Sequence, residues 1–141
     1  MDTPTPLSAS CLCGAVKINA IIKSLEIGVC HCGMCRQWAG SPYFAIESDN
    51  VTFSGDSVKA YESSEWAERG FCGNCGTHLF YRMKGSETHY LPVGLFPTHQ
   101  AMTMSHQIFI DSKPEYYSFE QKTVCMTGEE VMAQFAGDNQ S

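Results

Sequence analysis

The sequence predicts a mainly β fold with short helical segments from three observations. Short segments rich in β-branched and aromatic residues recur along the chain. Glycine, asparagine, serine and proline residues separate these segments at close intervals. Helical periodicity occurs at only two places. Because 141 residues can bury one hydrophobic core, we expect a single domain over residues 10–136, with a loose tail at 1–9 and another at 137–141.

The strands are predicted in chain order from alternation and turn residues. The first lies around Val16–Ile22, where apolar residues alternate with more polar neighbours, and six more are predicted at 43–47, 51–53, 58–62, 77–83, 89–93 and 107–111. A short helix is expected at Met34–Trp38. A second is expected near the C-terminus, where Thr127 precedes Glu129 and Glu130 and apolar residues then recur at helical spacing.

Charge and hydropathy exclude several classes of partner. The chain has 9 Lys and Arg against 15 Asp and Glu, a formal charge of −6, and its basic residues are scattered, which disfavours nucleic acid. The N-terminal residues lack the features of a signal peptide, and no apolar run reaches the roughly 18 residues that span a membrane. We therefore expect a cytoplasmic protein without a membrane partner.

The eight cysteines carry the strongest chemical signal in the sequence. In a reducing compartment, clustered cysteines more often bind metal than form disulfides. Here they form three spaced groups and one isolated thiol: Cys11 and Cys13; Cys30, Cys32 and Cys35; Cys72 and Cys75; and Cys125.

Two of these groups together complete a four-thiolate site. A Cys-x-x-Cys turn such as Cys72–Cys75 directs both sulfurs at one ion, and adjacent glycines permit the turn. A thioredoxin-type redox pair has the same spacing, but no βαβ pattern surrounds it here. Pairing Cys11 and Cys13 with Cys72 and Cys75 predicts a closed, structural zinc site.

The remaining three thiols predict a different kind of site. Cys30, Cys32 and Cys35 supply three ligands, and three protein ligands with an open position are typical of a catalytic zinc. His31 or Cys125 could instead complete the set, although a residue between two ligands tends to point away and an isolated Cys is often a buried hydrophobe.

Two neighbours of the three-thiol group are candidate substrate-binding residues. Arg36 either compensates the negative charge of three thiolates or holds a substrate carboxylate. Trp38 is either part of a pocket wall that shields the site from water or part of the core.

Nearly the whole chain, roughly from Ser10 to Phe135, resembles the family of glutathione-dependent formaldehyde-activating enzymes, which is grouped with centromere protein V. The matching segments are 11–16 (CLCGAV), 30–36 (CHCGMCR) with Gly40, 63–64 with Arg69, 70–77 (GFCGNCGT) and 108–115 (IFIDSKPE).

The resemblance implies an Mss4-like, or β-tent, fold of small antiparallel sheets around zinc. It also implies a structural ion on Cys11, Cys13, Cys72 and Cys75, and a catalytic ion on Cys30, Cys32 and Cys35. In the activity for which the family is named, glutathione and formaldehyde condense to S-hydroxymethylglutathione.

The leading hypothesis is therefore a carbon–sulfur lyase with two zinc ions per chain, the second of them labile, acting on a small thiol such as glutathione and an aldehyde. Coordination would deprotonate the substrate thiol, which then attacks a carbonyl carbon or is expelled in reverse. Three alternatives remain open. The first is the same chemistry on a different thiol or aldehyde, and the second is a non-enzymatic zinc-stabilised module that binds a protein. The third is a second zinc site that senses redox state or metal supply.

Overall fold

The structure is a computed structural model that describes residues 4–97 and 101–140. The chain forms two compact units, one within residues 1–25 and 45–102 and the other within 26–44 and 103–141. Its elements are the strands β1 (Thr5–Ser10), β2 (Lys17–Cys30), β3 (Tyr43–Ser54), β4 (Val58–Glu62), β5 (Ala67–Cys72), β6 (His78–Met83), β7 (His89–Pro92), β8 (Thr103–Ile108) and β9 (Val124–Met126), the helices α1 (Gly33–Ala39) and α2 (Gly128–Gln140), and short 3-10 turns at Val93–Leu95 and Ile110–Ser112. The predicted mainly β class is confirmed.

The first unit is an antiparallel arrangement. β5 lies between β4 and β6, β7 pairs with both β6 and β3, and β1 pairs with the first half of β2. Its core is formed by the inward residues of these strands, among them the fully buried Val16, Ile18, Ile22, Ile46, Leu79 and Leu91. The alternation of Val16, Ile18, Ala20 and Ile22 in the sequence therefore marks the buried face of β2, as predicted.

The second unit uses parallel pairing, which differs from the small antiparallel sheets that were expected. The last residues of β2, Glu26–Cys30, pair in parallel with β8, and β8 pairs in parallel with β9. Gly28 lies opposite His106, where a Cβ atom would be 2.3 Å from the imidazole Nε2. A larger residue at position 28 would therefore displace the exposed His106 side chain.

The helices begin as the sequence predicts. Cys32 caps α1, because its Sγ accepts a hydrogen bond from the Cys35 amide at 3.3 Å. At α2 the Thr127 hydroxyl accepts from the Glu130 amide, and the Glu130 carboxylate accepts from the Thr127 amide at 2.9 Å. The predicted capping box is confirmed.

Several boundaries differ from the sequence prediction. Residues 5–9, expected in a tail, lie in β1, where Leu7 packs against the core. α2 extends to Gln140, into the expected C-terminal tail. The segments predicted at 43–47 and 51–53 form one continuous strand, and β5 and β9 had no predicted counterpart. The single domain over 10–136 stays a prediction.

Candidate metal centres and substrate pocket

Four cysteines of the first unit form one cluster. Cys11 lies before β2 with Cys13, Cys72 ends β5, and Cys75 follows in the turn to β6. Their sulfurs all lie within 4.8 Å of one another. The Sγ distances of 3.6 Å from Cys11 to Cys13 and 3.9 Å from Cys13 to Cys72 suit a tetrahedral zinc, whose Zn–S bonds place sulfurs about 3.8 Å apart. The donor set therefore fits a closed four-thiolate site.

Backbone and side-chain donors surround these sulfurs. The amides of Asn74 and Cys75 point at the Cys72 sulfur at 3.4 and 3.5 Å, and the Asn74 side chain donates to the Cys13 sulfur at 3.2 Å. Hydrogen bonds to a charged acceptor are stronger than those to a neutral one, so these donors would help to offset the negative charge of thiolates that hold a metal.

Thr77 has a defined orientation beside the cluster. Its Oγ1 accepts a hydrogen bond from the Leu12 amide at 3.1 Å, so its own proton is available to the Cys75 sulfur, also at 3.1 Å. This hydrogen bond, with one from the Thr77 backbone, lowers the pKa of Cys75 to about 5. Thr77 thus links the two halves of the site, since Leu12 lies between Cys11 and Cys13.

We expect Thr77→Val to weaken metal binding at this cluster about ten- to a hundredfold, because valine keeps the shape but donates no hydrogen bond to Cys75. Competition with a chromophoric chelator measures the affinity. Thr52→Val, at an exposed position on β3, is the matched control and should leave affinity unchanged. Equal affinities for both variants and the wild type would contradict this role of Thr77.

Three cysteines of the second unit form the other cluster. Cys30 ends β2, Cys32 caps α1 and Cys35 lies buried in its first turn, and the three sulfurs lie within 4.8 Å of one another. Within residues 4–97 and 101–140, no fourth Cys, His, Asp or Glu belongs to this group. Hydrogen bonds with the Cys32 and Cys35 sulfurs, together with burial, raise the pKa of the Cys30 thiol. Three thiolates so close need a cation, and the set fits a metal held by three sulfurs.

His31 is fully buried and does not belong to this group of candidate metal ligands. Its Nε2 lies 2.7 Å from the Gln107 Oε1, and its Nδ1 lies 2.7 Å from the Tyr117 hydroxyl, so both ring nitrogens are occupied. Cys125 is exposed and its sulfur lies beside Thr123, outside the three-cysteine group. Neither residue provides the fourth ligand in this arrangement.

The partners of His31 determine which of its ring nitrogens donates a hydrogen bond and which accepts one. Gln107 Nε2 donates to the Thr123 hydroxyl at 2.9 Å, which leaves its Oε1 to accept from His31. The proton of the neutral imidazole is therefore on Nε2, and Nδ1 accepts from Tyr117. Burial lowers the pKa of His31, and burial raises that of Tyr117, so both are neutral near pH 7.

A cavity of about 480 Å³ is lined in part by residues that neighbour the three-cysteine cluster in the chain, although none of the three cysteines is among its described wall residues. Gly33 and Arg36 of its wall directly follow Cys32 and Cys35 in the chain. The wall residue Tyr117 is also close enough to Cys30 that a negative charge on this cysteine, in addition to burial, raises the pKa of Tyr117. Half of the rest of the wall is aromatic, with Phe44, Tyr116, Tyr117 and Phe119, and the other half is Gln37, Gly40, Ser41 and Pro42. The size is that of a small-molecule site.

The two predicted substrate-binding residues occupy different places. Arg36 lines the cavity, and its Nε donates to the His31 carbonyl oxygen at 2.9 Å. Trp38 packs against the buried Tyr43, with ring centroids 5.5 Å apart, and the wall of the cavity does not include it.

Lys113 holds the aromatic segment 116–119 in place. Its ammonium donates to the carbonyl oxygens of Pro114 and Tyr117 and to the Ser118 hydroxyl, and lies 5.2 Å from the centre of the Tyr117 ring. No motif in the sequence marks Tyr117, Phe119 or Lys113 as a residue of the candidate site. The signal that could have found them is the run of three aromatic residues at 116–119, which lies in a segment with no strand pattern.

Comparison with known proteins gives two sequence matches. The sequence model of a family described as glutathione-dependent formaldehyde-activating enzyme matches residues 6–112. A Schizosaccharomyces pombe protein named as an uncharacterised lyase is 38% identical over 127 residues, which cover 87% of this chain and 92% of that protein.

Comparison with solved structures gives a similar fold. The crystal structure of a Rhodobacter sphaeroides protein superposes with a TM-score of 0.57 at 19% sequence identity, covering 67% of this chain and 91% of the other. Of the residues described, no helix is both long and apolar enough to cross a membrane.

Proposed function

The chain belongs to the family of glutathione-dependent formaldehyde-activating enzymes, and from this premise we propose that it is a zinc-dependent carbon–sulfur lyase acting on a thiol–aldehyde adduct. The observation that carries the proposal is the three-cysteine cluster beside a cavity of small-molecule size. The family's named pair, glutathione and formaldehyde, is the reference substrate. The cytoplasm, where thiols stay reduced, is the compartment in which we place the reaction.

Two ions are proposed, with different tasks. Cys11, Cys13, Cys72 and Cys75 hold a structural zinc, and Cys30, Cys32 and Cys35 hold a catalytic one. When bound at three thiolates, zinc supplies an open coordination position and Lewis acidity towards a substrate sulfur.

Tyr117 is proposed to contact the oxygen of the adduct. Its proton is donated to His31, so its oxygen is left to accept a hydrogen bond from a hydroxyl in the cavity. In the breakdown direction, the carbon–sulfur bond breaks and its electron pair stays on sulfur. The Tyr117 oxygen holds the hydroxyl in position, and as the carbonyl forms the proton of the hydroxyl passes to that oxygen while Tyr117 passes its own proton to His31 Nδ1.

We expect Tyr117→Phe to lower kcat about a hundredfold, because the phenyl ring keeps the wall but accepts no hydrogen bond from the substrate. Steady-state release of formaldehyde and free thiol from the adduct measures the effect. Tyr61→Phe, which changes an exposed hydroxyl on β4, is the control. Thermal unfolding should accompany the assay, since the variant also leaves His31 Nδ1 without its donor. An unchanged kcat in a folded Tyr117→Phe protein would remove Tyr117 from the mechanism.

The proposed function is tested with metal-loaded protein and an equilibrium mixture of glutathione and formaldehyde. Exchange between free and adduct glutathione, followed by nuclear magnetic resonance, should be faster than in buffer. Chelation of the labile metal should return the exchange rate to that of buffer. No acceleration with any thiol would favour a zinc-stabilised binding module instead.

A further inference from the structure

The wall of the cavity has an unusual charge pattern for a glutathione site. It contains one cation, Arg36, and no Asp or Glu is among its described residues. Glutathione carries two carboxylates and an ammonium group. In this wall one carboxylate could pair with Arg36, whereas the ammonium and the second carboxylate would have no charged partner.

Arg36 is the cation with donors left for a ligand. Its Nε is used by the His31 carbonyl, and no residue in the described part of the chain forms an ion pair with its terminal nitrogens. Lys113, the other nearby cation, donates to Pro114, Tyr117 and Ser118 and has no proton left. Two terminal guanidinium nitrogens bind one carboxylate well.

The remaining wall is suited to a flat apolar group. Phe119 packs against Phe44 at an edge, with centroids 5.5 Å apart, and against Tyr117 at 5.8 Å. Aromatic faces and edges arranged in this way favour another aromatic ring. A second carboxylate in this cavity would have no cation of the described wall to pair with, which disfavours it.

We propose that the thiol handled at this site carries an aromatic ring and a single carboxylate, and binds with its ring against the part of the cavity wall formed by Phe44, Tyr117 and Phe119 and its carboxylate on Arg36. This inference rests on the proposed function and narrows its substrate class away from glutathione.

The test compares four thiols as their formaldehyde adducts. They are para-mercaptomethylbenzoate, which has ring and carboxylate; phenylmethanethiol, which has the ring alone; mercaptopropionate, which has the carboxylate alone; and glutathione. We expect kcat/KM for para-mercaptomethylbenzoate to exceed that for each of the others at least about tenfold. A kcat/KM for glutathione equal to or above that of the benzoate would overturn the inference.

Two variants separate the contributions of charge and ring. Arg36→Gln should lower kcat/KM for para-mercaptomethylbenzoate about tenfold or more and leave kcat/KM for phenylmethanethiol unchanged. The control is Lys122→Gln, which removes an exposed cation and should change neither value. Phe119→Leu should lower kcat/KM for the two thiols that have a ring, para-mercaptomethylbenzoate and phenylmethanethiol, and leave kcat/KM for mercaptopropionate unchanged. Equal losses for all thiols in either variant would mean a structural role and contradict the assignment.

A binding measurement distinguishes failure of this inference from failure of the lyase proposal. Para-methylbenzoate has the ring and carboxylate but no sulfur, so calorimetric titration reports the pocket without turnover. We expect it to bind the wild type and Lys122→Gln alike and Arg36→Gln at least about tenfold more weakly. Binding without turnover of any thiol would support the pocket assignment and end the lyase proposal. Turnover without this difference in binding would end the pocket assignment alone.

Discussion

Replacing Cys72 with serine is expected to unfold the protein in reducing buffer and to release a metal ion. The Cys72 side chain is fully buried, and its sulfur accepts two backbone amides at the turn between β5 and β6. Structural zinc contributes roughly 10 kcal/mol or more to folding, whereas a domain of this size is stable by only about 5–15 kcal/mol. Losing one of the four thiolates is therefore expected to remove most of the free energy of unfolding.

Circular dichroism and bound metal, measured together without oxygen, check this result. Cys125→Ser is the matched control, because its sulfur is exposed and belongs to neither cluster. It should keep the wild-type spectrum and metal content. A folded Cys72→Ser protein with all its metal would contradict the structural role of the four-cysteine cluster.

Cys32→Ala is expected to abolish turnover while the protein stays folded. Cys32 lies half-buried at the start of a seven-residue helix, so the structural loss is mainly its cap, which costs about 1 kcal/mol. Lewis-acid stabilisation by a metal is worth several kcal/mol in the transition state, which corresponds to a fall in kcat/KM of about a thousandfold or more.

The assay uses the adduct with the highest kcat/KM in the wild type, with thermal unfolding measured on the same preparation. Cys125→Ser again serves as the control and should retain full activity. A Cys32→Ala protein that turns over the adduct at the wild-type rate would exclude the three-cysteine cluster from the reaction.

The parts of the site that depend on local spacing could be predicted from the sequence. Two residues between Cys72 and Cys75, and the spacing of Cys30, Cys32 and Cys35, indicate metal ligands because the members of each motif are close in the chain. The N-cap of α2 was predictable for the same reason, since Thr127 and Glu130 are three residues apart. Cys11 and Cys13 are brought to Cys72 and Cys75 by the fold, since Cys13 and Cys72 are 59 residues apart.

The parts that depend on tertiary packing could not be predicted in this way. β5 contains Gly70 and the buried Arg69, which interrupt the strand pattern; Gly70 is needed because a Cβ there would be 2.0 Å from the Phe80 ring. Tyr117 is 86 residues from His31, and only the fold brings them together. Trp38 is close to the cysteines in sequence but packs against Tyr43 and is not part of the cavity wall, so nearness in sequence did not predict its place.

The central claim is that each chain holds two metals at separate sites, one closed and one with an open position. Native mass spectrometry of protein purified without oxygen counts zinc per folded chain in the wild type and in Cys32→Ala. We predict two ions in the wild type and one in the variant, with the fold retained. One ion in both proteins, or two in both, would contradict a catalytic zinc at Cys30, Cys32 and Cys35.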